Sequence, residues 1–159
     1  MTEQQLWSFL LSKLKGGGIF QRHEDRISQG IPDVSFSIRG VGHGWIELKA
    51  VGGVSPADVV RLPHFTDLQR AWIHTHGSVG GACFVLIAVG EDLYLFDWTA
   101  AYKLGSMTRD EMREQALFYG LKSKFDSSDF LDMIRRSALF WRAEQEAAVR
   151  ASFLGDEGR

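Results

Sequence analysis

With 159 residues, 45% of them apolar and including eleven Phe and five Trp, the chain can bury a core of single-domain size. Its single cysteine excludes an internal disulfide and suits a reducing cytoplasm. No apolar run nears the roughly 20 residues of a membrane span, and the N-terminus lacks the basic and apolar regions of a secretory leader. A formal net charge of −2 excludes a bulk polycation, so any nucleic-acid contact must come from a local basic surface.

Residues 3–15 are predicted to form a helix, with Leu6, Trp7, Leu10, Leu11 and Leu14 at helical spacing. Gly16-Gly17-Gly18 then stops it. Ile19–Arg22 reads as extended, with Ile27 as its candidate continuation. Val34, Phe36 and Ile38 alternate with Ser35, Ser37 and Arg39, which is the period of a strand. Gly40-Val41-Gly42-His43-Gly44 reads as a hairpin connection into a strand over 45–51. There Ile46 and Leu48 share one face, and Trp45, Glu47 and Lys49 the other.

After the break at Gly52–Pro56, a helix is predicted from about Pro63 to His76. A wholly apolar strand follows over 82–89, with Cys83 as a small buried hydrophobe, and then a strand over 93–97. Beyond residue 98 the pattern becomes helical. Thr108 is placed to cap a helix running through Phe118 to Gly120. Ser127 or Ser128 is placed to cap another carrying Phe130, Ile134, Ala138 and Trp141, with a polar, frayed tail after Phe153. The expectation is an α/β fold: a central mixed sheet flanked by helices over residues 1–98, and a helical extension over 99–159 packed on the same domain.

Asp33 opens one strand and Glu47 lies on the next. Two adjacent carboxylates repel unless a cation sits between them. Magnesium suits such an oxygen-rich site, because it takes one or two carboxylates and fills the rest of its shell with water and phosphate oxygens. Lys49, on the same strand face as Glu47, is placed to orient a water or to neutralise charge developing on a phosphate. An isolated Glu-x-Lys on a strand is commonly a solvated ion pair. Here it follows Gly30-Ile31-Pro32-Asp33 and a glycine hairpin, and that context carries the reading.

These pieces resemble the PD-(D/E)XK nuclease superfamily, in its VRR-NUC and Holliday-junction-resolvase-like branch. The resemblance rests on Arg26-x-x-x-Gly30-Ile31-Pro32-Asp33, Trp45-Ile46-Glu47-Leu48-Lys49-Ala50 and Leu68-Gln69-x-x-Trp72, and covers about residues 3–97. It implies a restriction-endonuclease-like core. It also implies Asp33 and Glu47 as ligands of Mg2+ (with Mn2+ able to substitute), Lys49 beside the attacking water, and Gln69 facing the site from the helix. The family often adds an acidic residue from the first helix: Glu3 matches by position, with Glu24 as its rival.

The implied activity is metal-dependent endonucleolytic cleavage of DNA in recombination, repair or replication. Branched DNA such as a Holliday junction is the first candidate substrate, flaps and nicked duplexes the next. The setting would be the cytoplasm of a bacterium or of a phage-infected cell, with a homodimer suited to a two-fold substrate. The alternative is a catalytically silent nuclease-fold module that binds DNA or a partner protein.

Residues 1–76 carry eight Lys and Arg against seven Asp and Glu, and residues 77–159 carry ten against thirteen. Lys13, Lys15, Arg22, His23 and Arg26 are the candidate DNA-backbone contacts, and Arg135, Arg136 and Arg142 form a second candidate patch. Lys15-Gly16-Gly17-Gly18 lacks the Gly-Lys-Ser/Thr of a phosphate loop and reads as a turn. His74 and His76, two apart on a helix, point away from each other and favour the helix C-terminus rather than a shared metal.

Overall fold

A computed structural model describes residues 1–24 and 29–156 of the chain. Its elements run α1 (Glu3–Lys13), β1 (Ile19–Arg22), β2 (Val34–Ile38), β3 (Gly42–Val51), α2 (Asp67–Ser78), β4 (Ala82–Val89), β5 (Asp92–Asp97), α3 (Arg109–Gln115), β6 (Phe118–Leu121) and α4 (Ser127–Asp156). The strands form one mixed sheet in the order β1-β2-β3-β4-β5-β6. β3 and β4 are parallel, with α2 as the crossover that a parallel pair requires, and every other neighbouring pair is antiparallel.

Each face of the sheet has its own apolar layer. Leu6 and Leu10 of α1 and Phe130 and Ile134 of α4 pack on Phe36, Ile46 and Leu48. Ile73 of α2 and Met112 of α3, with Val60, Leu62 and Phe65 from the preceding loop, pack on Val85, Ile87 and Phe96. β4 is covered on both sides, and all eight of its residues are buried. Its uninterrupted apolar sequence follows from that.

Helix starts are set by one recurrent device. Thr2 with Gln5, Thr66 with Gln69 and Thr108 with Glu111 each form a reciprocal capping box. The box at Thr66 explains why α2 begins at Asp67 rather than near Pro63. α4 begins at Ser127 because Asp126, not either serine, caps it: its carboxylate accepts from Asp129 N at 3.1 Å. α4 then stays helical through Asp156, past the expected fraying point.

The helix expected through Phe118 stops at Gln115, where Ala116 turns extended. Phe118–Leu121 instead forms β6 against the edge of β5. Phe118 enters the α1/α4 layer, while Tyr119 on the opposite face donates to Asp92 Oδ1 at 2.9 Å. Paired aromatics with opposite facings suit a strand. The stretch from 99 onward is therefore more than a helical addition. It supplies the sheet's last strand and, through α4, part of the α1 core.

Candidate active site

Gly30 and Pro32 deliver Asp33 to the sheet. Gly30 has φ +95°, and a Cβ there would lie 2.8 Å from the Leu68 carbonyl oxygen in the first turn of α2. Only glycine allows that approach. Pro32 then holds an extended entry, and the β2–β3 register, with Val34 opposite Ile46, carries Asp33 alongside Glu47. Asp33 is further fixed by accepting from Leu48 N through Oδ2 at 3.0 Å, and its own carbonyl accepts from His23 N at 2.7 Å.

Glu47 is fully buried, at 0% exposure, and Lys49 is 4% exposed. The Lys49 ammonium is 2.9 Å from Glu47 Oε1 and 3.6 Å from Glu3 Oε1. It donates to the His64 carbonyl at 3.2 Å and stands 5.6 Å from the centre of the Phe65 ring. The Glu47–Lys49 approach is close but lacks hydrogen-bond direction, and neither Glu47 oxygen has a hydrogen-bond partner. Burial first, and then the neighbouring Asp33 charge, push the Glu47 carboxyl up to about 8, against the lowering pull of Lys49.

Asp33, Glu47, Lys49 and Glu3 are thus brought together. Glu24 is exposed beyond the end of β1. The side-chain oxygen of Gln69 is taken by the α2 capping box, where it accepts from Thr66 N at 3.0 Å. Gln69 therefore sets the start of α2, next to the His64 and Phe65 positions that hold Lys49.

The expected basic contacts are dispersed. Arg22 pairs with Val34 in the sheet and bonds Gln4 of α1, which places it on the α1 side. His23 bonds Ser35 Oγ through Nε2 at 2.6 Å, on the same face as Asp33. Lys13 lies ten residues along α1 from Glu3, about 15 Å away at the helical rise, and Lys15 lies beyond the end of the helix. Neither flanks the carboxylates. Arg26 and Ile27 lie outside the described residues. Arg135 bonds the Arg39 carbonyl, and Arg142 bonds the Val41 carbonyl, so these two tie α4 to the β2–β3 turn rather than forming a free patch, and Arg136 is exposed.

His74 and His76 do point apart: His74 meets Trp98 and Tyr102, whereas His76 stacks on Trp72. The Lys49 partners His64 and Phe65 were not marked by any motif. One is a backbone carbonyl and the other a lone aromatic in a loop. Trp45, by contrast, carried a signal, since strand alternation sets it on the face of Glu47 and Lys49.

The donor set suits a hard divalent cation. It consists of carboxylate oxygens, two of them buried without a hydrogen-bond partner. Among the described residues no three His, Cys, Asp or Glu side chains form a metal cage. Two carboxylates are within what magnesium uses when water and phosphate complete its shell. No protein-family model matches the chain, and no curated protein matches it significantly. No described helix is long and apolar enough to cross a membrane.

Proposed function

We propose that the chain is a metal-dependent DNA endonuclease that hydrolyses phosphodiester bonds, with a restriction-endonuclease-like core of the PD-(D/E)XK type. The observation that carries this reading is Glu47: a wholly buried carboxylate without a hydrogen-bond donor, beside a second carboxylate and a buried lysine. In passive packing such a carboxyl either stays protonated or carries a charge that a single lysine must balance together with Asp33 and Glu3, and both options are costly. A divalent cation and an anionic phosphate balance the site. The order α1-β1-β2-β3-α2-β4, with the site at the entry to β2 and on β3, supports the same assignment.

In this reading Asp33 and Glu47 hold Mg2+, which when bound supplies Lewis acidity and an activated water for attack on phosphorus. Lys49, fixed by Glu3, Glu47 and the His64 carbonyl, orients the nucleophile and offsets charge that grows on the phosphate oxygens. The 3′ oxygen departs. Gln69 acts by positioning, through the start of α2.

The test is incubation of purified protein with labelled four-way junction, flap and linear duplex in magnesium, in manganese and in chelator. Metal-dependent cutting is expected, with losses of about a hundredfold or more in Lys49→Ala and Asp33→Ala. Tight DNA binding without cleavage under any metal would overturn the hydrolase reading in favour of a silent binding module.

A further inference from the structure

Away from the carboxylates, β3 continues the Glu47 face with positions that the catalytic residues do not use. Trp45 stands on the Glu47 side of the strand, opposite Ser35, which in turn opposes Gln21 of β1, and one step on Ser37 opposes His43. This part of the sheet is open: Ile19, Gln21 and His43 are exposed, and Ser35 and Ser37 are half-buried.

Four rings run across it toward α2. The centres of His23 and Trp45 are 5.1 Å apart and those of Trp45 and Trp72 are 5.4 Å apart. His76 stacks on Trp72 at 3.6 Å with 12° between the ring planes. The two end rings are oriented by hydrogen bonds, His23 with Ser35 Oγ at 2.6 Å and His76 Nδ1 with the Trp72 carbonyl at 2.8 Å. His76 is exposed and the other three are half-buried.

Spacing and charge together select the occupant. Trp45 precedes Glu47 by two strand residues, about 7 Å, which is roughly two stacked nucleotide steps along one strand. The basic side chains expected to contact phosphates are dispersed, with Lys13 and Lys15 away from the carboxylates, so little counterion release is available to drive binding there. Stacking on aromatic rings is the other main source of affinity for nucleic acid. It tolerates any sequence, but it needs bases whose faces are free. A paired duplex hides those faces.

Resting on the hydrolase reading, we propose that the strip His23–Trp45–Trp72–His76 binds unpaired nucleotides next to the scissile phosphate. The substrate class is then DNA with a single-stranded stretch at the cut, such as a flap, fork or gap, rather than a fully paired duplex or junction arm.

Tryptophan fluorescence tests this. The Lys49→Ala protein, in chelator so that no strand is cut, is titrated with oligothymidylate and with a blunt hairpin duplex of equal length. The expected result is quenching by the single strand and binding about tenfold tighter than to the hairpin. Trp45→Leu and His76→Ala, each added to Lys49→Ala, should each remove most of that preference. His76 is exposed, so its variant remains informative if Trp45→Leu fails to fold. Absence of quenching, equal binding of the two ligands, or variants that lose strand and hairpin binding in equal measure would overturn the proposal. Quenching and strand preference in a wild-type protein that cuts nothing under any metal would support the strip and sink the hydrolase reading instead.

Discussion

Glu47 is the residue that the rest of the site is arranged around. Its carboxyl is raised to about 8 by burial and by Asp33, so in the metal-free protein it holds a proton at neutral pH. An unfolded glutamate loses that proton near pH 4.3. Between these values the unfolded state binds fewer protons, so Glu47 costs stability progressively as the pH rises. The contribution is fully favourable below about pH 4 and is lost as the pH passes through about 8, to a total of up to roughly 5 kcal/mol. Urea unfolding of wild type and Glu47→Gln in chelator checks this. The variant should gain on the wild type steadily from about pH 5 to 8, and parallel curves over that window would contradict the assignment.

On the proposed reading a divalent cation would take the place of the proton and remove this cost, because metal binding to a carboxylate is linked to proton release. Cys83 is raised by burial too, to about 12, but stands without a charged neighbour in the apolar strand β4 and stays an inert hydrophobe. At this scale much of the site was legible in the sequence. Strand alternation gives Glu47 and Lys49 one face, and the glycine–proline entry brings Asp33 beside them. The residues that hold Lys49 were not legible, because a loop carbonyl and a single phenylalanine leave no periodic trace.

At the scale of elements, the site depends on how α2 meets the strand-entry segment. The contact is Gly30 against the Leu68 carbonyl, in the turn started by the Thr66–Gln69 capping box. Gly30→Ala adds a Cβ where φ is positive, at a strain of about 1–2 kcal/mol, and pushes the segment away from α2. Asp33 should shift with it. Activity is expected to fall by about a hundredfold while the thermal midpoint drops only by the few degrees this strain implies. A large loss of stability with unchanged activity per folded molecule would show that the contact serves the fold and not the site.

The capping boxes stand in the sequence as Thr-x-x-Gln and Thr-x-x-Glu, but only Thr108 among them is predicted as a cap, and the box at Thr66 corrects the start of α2. β6 was harder to foresee. Phe118 and Tyr119 continue a plausible helical pattern, and pairing with the open edge of β5, where Tyr119 joins Arg109 on Asp92, turns them into a strand. Propensity yields to tertiary pairing there.

In the whole molecule, the sheet is a partition with two unequal tasks. On one side α1 and α4 close an apolar layer that draws Leu6 and Leu10 from the start of the chain and Phe130 and Ile134 from its far end. On the other side α2 and α3 cover β4 and β5, while β1, β2 and the near end of β3 keep an open polar and aromatic face. The carboxylates sit where these two regions meet. The overall α/β organisation was legible from alternation and helical spacing. The interleaving of both chain ends in one core was not, because periodicity within a segment carries no information about which segments meet.

The central claim, that this junction hydrolyses phosphodiesters with a bound metal, is tested most directly by single-turnover cleavage of an end-labelled flap substrate by wild type and by Glu47→Gln, with magnesium and with chelator. Wild type should cut only with the metal and leave a 3′ hydroxyl, and Glu47→Gln, which keeps the shape and removes the charge, should be slower by about a hundredfold or more. Cleavage that persists in chelator, or a Glu47→Gln protein as fast as the wild type, would contradict it.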